Sequence, residues 1–214
     1  MREHIPYRAI VVLFILIMLI FSASLSRTDS HSHDIAALTT VPDNTLVPTP
    51  APIDWREIMV QAAASGDRET GIAAQEELHG DLQYDDLFLL AKIIACECGP
   101  AWEDWGIMAI GEVVLNRVAS PEVPNTIREV LYQDNPMQYE PVWSNGWEDY
   151  IPAERYVRLA LRLIDGERPL GDPTIVFQAL FPQGSGIALA YHDDTLNNDT
   201  YFCWTSYPDV YACG

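Results

Sequence analysis

The chain has 214 residues, 49% of them hydrophobic, which is enough for one ordinary buried core and some appendage. Twelve Lys and Arg stand against 31 Asp and Glu, a formal net charge of -19. That balance excludes a nucleic-acid partner, since nothing would replace the counterions along a phosphate backbone, and it disfavours docking on anionic lipid.

The N-terminus differs in kind from the rest. Arg2 and Arg8 precede an apolar run from Ala9 to Phe21 that continues, with serine interruptions, to Leu25. Residues 1–25 therefore read as a membrane anchor or signal segment. Cationic residues before the run, and Asp29, Asp34 and Asp43 after it, put the N-terminus inside and the remainder outside the membrane. The expected location is a single N-terminal anchor with an extracytoplasmic domain; cleavage near Ser22–Ser26 would make the protein secreted instead. Residues 26–52 are rich in Ser, Thr, Asp and Pro, bury too little to fold, and read as a disordered linker. Residues 53–83 form a helical preface. Trp55, Ile58, Met59, Ala62 and Ala63 share one side of a first helix, Gly66 breaks it, and a weaker helix covers Thr70 to Leu78.

The main domain spans 84–214, and its first helix carries the most informative residue. In the stretch from Asp85 to Pro100, Leu87, Leu90, Ile94 and Glu97 recur at the spacing of one helix face, so a carboxyl group stands where a leucine belongs. Burial against that stripe penalises the charged form, and the free carbonyls of the last helical turn add negative potential. Both raise the pKa of Glu97. This is the setting of a general acid, as in enzymes that protonate a glycosidic oxygen. The structural alternative is a buried Glu paired with Arg117 or Lys92.

A loop from Pro100 to Asp104 leads into an apolar helix through Val118, whose Met108, Ile110, Val113 and Val114 predict the central helix of the core. Thr126 and Glu129 have capping-box spacing, predicting a short helix that ends near Gln133. Residues 134–151 form a long loop carrying Met137, Tyr139, Trp143, Trp147 and Tyr150, and an amphipathic helix from Pro152 stops at Gly166. Three β-prone runs follow, with a turn at Asn197-Asn198-Asp199. The class is α+β, mainly helical with a small C-terminal β element.

Cys96, Cys98, Cys203 and Cys213 would oxidise outside the membrane. Cys96 and Cys98 point to opposite sides of a helix, so the expected bridge joins Cys203 to one of them or to Cys213. A zinc site using His192 is a sharper alternative without a recognised ligand spacing.

The stretches CECG, GEVVLNRVASPEVPNTIREVLYQ and QYEPVW resemble the SleB-like spore cortex-lytic enzyme and cell wall hydrolase family, over residues 84 to about 204. The resemblance implies a lysozyme-like fold and cleavage of peptidoglycan glycan strands between N-acetylmuramic acid and N-acetylglucosamine, with Glu97 as the acid. It also places Asn116, Arg117, Gln133, Gln138 and Tyr139 around or beneath the cleft. The sequence departs from the pattern after Glu97, where Ala101 replaces a second glutamate and Glu103 arrives late, and in a C-terminal element that lacks a histidine at Asp199.

Aromatic rings in 139–150 suit a sugar groove, where Trp143 stacks and Gln133 and Gln138 bond N-acetyl groups; Tyr191 is a further lining candidate. The bland reading has Trp143 and Trp147 roofing the core. A two-carboxylate glycosidase needs a partner for Glu97, and Glu103, Asp104, Glu112 and Glu140 are the candidates, with Asp104 expected to cap a helix instead. A lytic transglycosylase needs one carboxyl group alone, which is the reading preferred here. No cofactor is expected. The rivals are a non-catalytic wall-binding or envelope-assembly protein on the same fold, and a thiol-redox protein using the Cys-x-Cys pair.

Overall fold

The computed structural model describes residues 51–121 and 123–207. The expected anchor at 1–25, nearly all of the linker at 26–52, and Cys213 lie outside these residues. Among the described residues, no helix is long and apolar enough to cross a membrane.

Helix α1 (Trp55–Ser65) starts where the Asp54 carboxylate accepts the Glu57 N–H at 3.0 Å, and it ends at Gly66, whose φ of 73° a side chain would resist. Helix α2 (Arg68–Glu77) begins two residues ahead of the expected Thr70, because Asp67 takes the cap and accepts the Thr70 N–H at 3.1 Å. Met59, Ala63 and Ala74 of these two helices lie in one core with the helices that follow. The preface is thus part of the same compact unit.

Helix α3 (Tyr84–Glu97) buries Leu87, Leu90 and Ile94 completely. Each such side chain contributes about 1.5–3 kcal/mol of burial, and truncating one to alanine costs about 2–5 kcal/mol. Helix α4 (Asp104–Ala119) is buried without a break from Gly106 to Val114, as expected of a central helix. Its cap is Glu103, which makes no side-chain cap bond; Asp104 is the first helical residue and its carboxylate binds Arg155, so the expected capping role for Asp104 is corrected.

Helix α5 (Ile127–Leu131) opens on Thr126, whose hydroxyl oxygen accepts the Glu129 N–H at 3.2 Å. It stops two residues before the expected Gln133. A single 3-10 turn, Glu140–Trp143, interrupts the long loop and packs on α3. Helix α6 (Glu154–Ile164) returns across α3 and α4.

Strands β1 (Ile175–Ala179), β2 (Gly186–Asp193) and β3 (Asn198–Trp204) form an antiparallel sheet of order β1-β3-β2. Gln178 pairs with Phe202, and Tyr191 with Thr200. The turn between β2 and β3 precedes the expected one: Asn197 takes it at φ 49°, while Asn198 and Asp199 already pair with Asp193 and His192. Packing of β1 on α4 brings the sheet to the helical core. The α+β class, mainly helical with a small C-terminal β element, is the one expected for a lysozyme-like domain.

Candidate active site

Glu97 is the last residue of α3, and the chain leaves through Cys98 in extended backbone at ψ 150°. The carboxyl group is partly buried beyond Ile94, and its hydrogen-bond partner among the described residues is the Gln178 side-chain amide, which donates at 3.5 Å. That length is at the outer limit of a hydrogen bond. Burial first, and the negative charge of Glu140 second, push the Glu97 pKa up to about 7. Glu97, Val113, Arg117, Gln138, Tyr139 and Gln178 line one small cavity.

Neither expected structural partner pairs with Glu97. The Arg117 guanidinium donates to Gln138 Oε1 at 3.2 Å, Gln133 Oε1 at 3.0 Å and the Val176 carbonyl at 3.3 Å. The Lys92 ammonium is buried under the Trp147 ring, 4.5 Å from its centroid, and donates to the carbonyls of Trp147 and Glu148. Arg117 thereby positions the glutamines of the groove, and Lys92 ties down the loop that roofs the core.

Asn116 explains how the strand reaches the helix end. Its amide donates to the Asp172 and Ile175 carbonyls, both at 3.0 Å, which pins the start of β1 to α4. With Arg117 on Val176, the strand is fixed two residues before Gln178. The Arg117 Nε and the Gln178 Oε1 are buried without a hydrogen-bond partner among the described residues. Such atoms cost about 1–3 kcal/mol each, so a ligand amide or hydroxyl that reaches them recovers that loss.

Arg117 brings Gln133, Gln138 and Tyr139 together. Tyr139 is buried, and burial raises its phenol well above the ordinary value, so it stays neutral beside Glu97. Trp143 is 48% exposed and lines an adjoining depression of about 450 Å3 with Met137, Gln138, Glu140 and Ser144. Trp147 is different: it is 3% exposed, and its indole donates to the Tyr132 hydroxyl at 2.8 Å. It roofs the core.

Tyr191, expected as a groove lining, does not line the small Glu97 cavity. Its ring stacks on Trp102 with centroids 4.1 Å apart, and its hydroxyl accepts the Glu103 N–H at 3.0 Å. His192 is exposed and bonded to Asp199 at 2.8 Å.

Among the described residues the expected disulfide from the Glu97 helix to the C-terminal strand is not formed, neither Cys96 nor Cys98 being bonded to Cys203; a Cys203–Cys213 pairing lies outside the described residues. Cys203 is buried in β3, with its sulfur accepting the Gln183 N–H at 3.4 Å. A hydrogen-bonded clasp performs the tethering instead. The buried Trp102 indole donates to Asp193 at 2.7 Å, and Asp193 also accepts the N–H groups of Thr195 and Leu196. A Cβ on Gly99 would stand 1.8 Å from that carboxylate, so the close approach requires glycine. Among the described residues, no group of three or more His, Cys, Asp or Glu converges to hold a metal ion.

Gln178 is the site residue that the sequence reading missed. Its signal was one amide inside an otherwise apolar β run, which says nothing about the residue it will meet.

Residues 103–208 match the family model described as Cell Wall Hydrolase. Glu97 lies ahead of the matched span, on the helix that leads into it. No curated protein matches the chain. Among solved structures, the catalytic domain of the germination-specific lytic transglycosylase SleB from Bacillus anthracis is similar, with a TM-score of 0.44 and 20% identity over 57% of this chain and 96% of that one. The family match takes in α4, which supplies Asn116 and Arg117, the aromatic loop, and all three strands, so over these residues the chain is similar to the cell wall hydrolases.

Proposed function

We propose that the protein degrades peptidoglycan as a lytic transglycosylase, cutting the glycan between N-acetylmuramic acid and N-acetylglucosamine with Glu97 as its single acid and base. The observation that carries this reading is a partly buried carboxyl group, with a pKa of about 7, facing a cavity lined by amides and aromatic rings. An acid with that pKa is protonated often enough near neutrality to donate, and basic enough afterwards to take a proton back.

Glu97 gives its proton to the glycosidic oxygen as the C1–O bond breaks, releasing the N-acetylglucosamine side. The resulting carboxylate takes the proton of the 6-hydroxyl of the same muramic acid residue. Its oxygen then bonds to C1, closing a 1,6-anhydro ring and returning Glu97 to the acid form. No water enters the products. Gln138, Gln133 and the unpaired amide oxygen of Gln178 suit N-acetyl groups, and the exposed Trp143 suits a pyranose face. In this reading residues 1–25 carry the domain to the outer side of the membrane, next to its substrate.

Digestion of purified peptidoglycan, with products read by mass, tests the reading. Anhydromuramic ends from the wild-type protein, reduced by at least about a hundredfold in Glu97→Gln, are expected. Reducing ends in their place would assign hydrolysis, and no cleavage of several walls by the wild-type protein would leave a wall-binding protein.

A further inference from the structure

Four carboxylates lie near Glu97 in the sequence or in the groove, and the structure separates them. Glu103 accepts the Trp105 indole N–H at 3.1 Å, Asp104 is bound by Arg155 at 2.7 Å, and Glu112 holds the Leu170 and Gly171 N–H groups at 2.6 and 2.9 Å. Each is committed elsewhere. Glu140 is exposed and has no hydrogen-bond or ion-pair partner among the described residues. It opens the 3-10 turn that packs on α3, one residue after Tyr139 of the Glu97 cavity.

Two depressions meet at this residue. The one with Gln138 and Trp143 shares Gln138 with the Glu97 cavity. The other, about 430 Å3, is walled by Glu140, Ser144 and Tyr150 and by Ala95 and Cys96, the two residues before Glu97. A glycan strand lying across both passes over Glu140 beside the acid.

We propose that Glu140 is a second carboxylate of the cleavage site, set beside Glu97 to face the sugar ring on which positive charge builds as the glycosidic bond breaks. The inference rests on the reading of Glu97 as the acid. Glycosidic cleavage passes through an oxocarbenium-like transition state, and a negative charge there interacts more strongly with the transition state than with the ground state. The same charge holds the proton on Glu97, as the second cause of its raised pKa.

The other groups nearby leave this role to Glu140. From α3, the Cys96 thiol is pushed up by burial and stays neutral, and the Lys92 ammonium is engaged under Trp147. From α4, Arg117 is engaged by Gln133, Gln138 and Val176. From the loop, the phenols of Tyr139 and Tyr150 are both pushed up by burial. Glu148 and Asp149 act on the Lys92 charge.

The test compares the full-length protein with Glu140→Gln and Glu140→Asp in peptidoglycan digestion across pH. Glu140→Gln is expected to lower kcat by on the order of tenfold or more at a KM within about twofold, and Glu140→Asp to recover part of the rate. Removing the negative neighbour favours ionisation of Glu97, so the alkaline limb of the rate moves to lower pH in Glu140→Gln. An unchanged kcat and limb overturn the proposal, as does a raised KM at unchanged kcat, which would make Glu140 a binding residue alone. Failure of the underlying reading shows separately, as cleavage retained in Glu97→Gln.

Discussion

Two glutamates on adjacent core helices, Glu97 and Glu112, begin from the same physics and end in opposite roles. Each replaces an apolar residue, and burial raises the pKa of both. Glu112 lies in mid-helix, 1% exposed, where the backbone N–H groups of Leu170 and Gly171 each donate to its carboxylate and offset part of the rise. Glu97 lies at a helix end with one amide at 3.5 Å and a like charge nearby. Burial supplies the perturbation, and the donors around the group decide how much of it remains. Trp147 and Trp143 repeat the contrast in the loop: one indole is buried and bonded, the other left open toward the groove.

The tryptophan pair gives the largest expected difference. Trp147→Ala should cost about 3–5 kcal/mol in denaturant unfolding, since it empties the roof of the core and strips the aromatic face from Lys92. Trp143→Ala should change stability by no more than about 0.5 kcal/mol while raising KM for glycan. Equal losses of stability would remove the distinction between roof and groove.

The glutamates should separate next, and with opposite signs. Glu112→Gln puts an amide donor against one of two backbone N–H groups and should destabilise by about 2 kcal/mol, read as a lower urea midpoint at unchanged m. Glu97→Gln should do the reverse above neutrality. The folded pKa of about 7 exceeds the ordinary value of 4.5, so the native state holds more protons than the unfolded one between them. The stabilising effect of that proton is present in full below pH 4.5 and is lost as pH rises through 7. Wild type should therefore weaken relative to Glu97→Gln across that window, by up to about 3 kcal/mol on the alkaline side. Parallel stability curves for the two proteins would show a carboxyl group that is not perturbed.

Much of the site was legible in the chain because it depends on neighbours within a few residues. The 3.6-residue stripe ending in Glu97, the unbroken apolar run of α4 and the Thr126 cap all involve local spacing, and all three appear where the pattern put them. Longer-range assignments fared unevenly. Tyr191 was a groove candidate by type, and what its ring meets is Trp102, a residue distant in sequence. A disulfide was inferred from compartment and cysteine count, and the clasp proved to be an indole on a carboxylate.

By itself the sequence determined that an acid would stand at the end of a buried helix, because a periodic apolar face leaves one direction for whatever follows it. Only the tertiary structure decided what surrounds that acid. Gln178 arrives from 81 residues away on a strand held by Asn116 and Arg117, and of four candidate carboxylates Glu140 is the one that acts on the Glu97 charge and has no partner among the described residues. Proton affinity is set by every dipole and charge within a few ångströms, and those come from whichever segments the packed core places there.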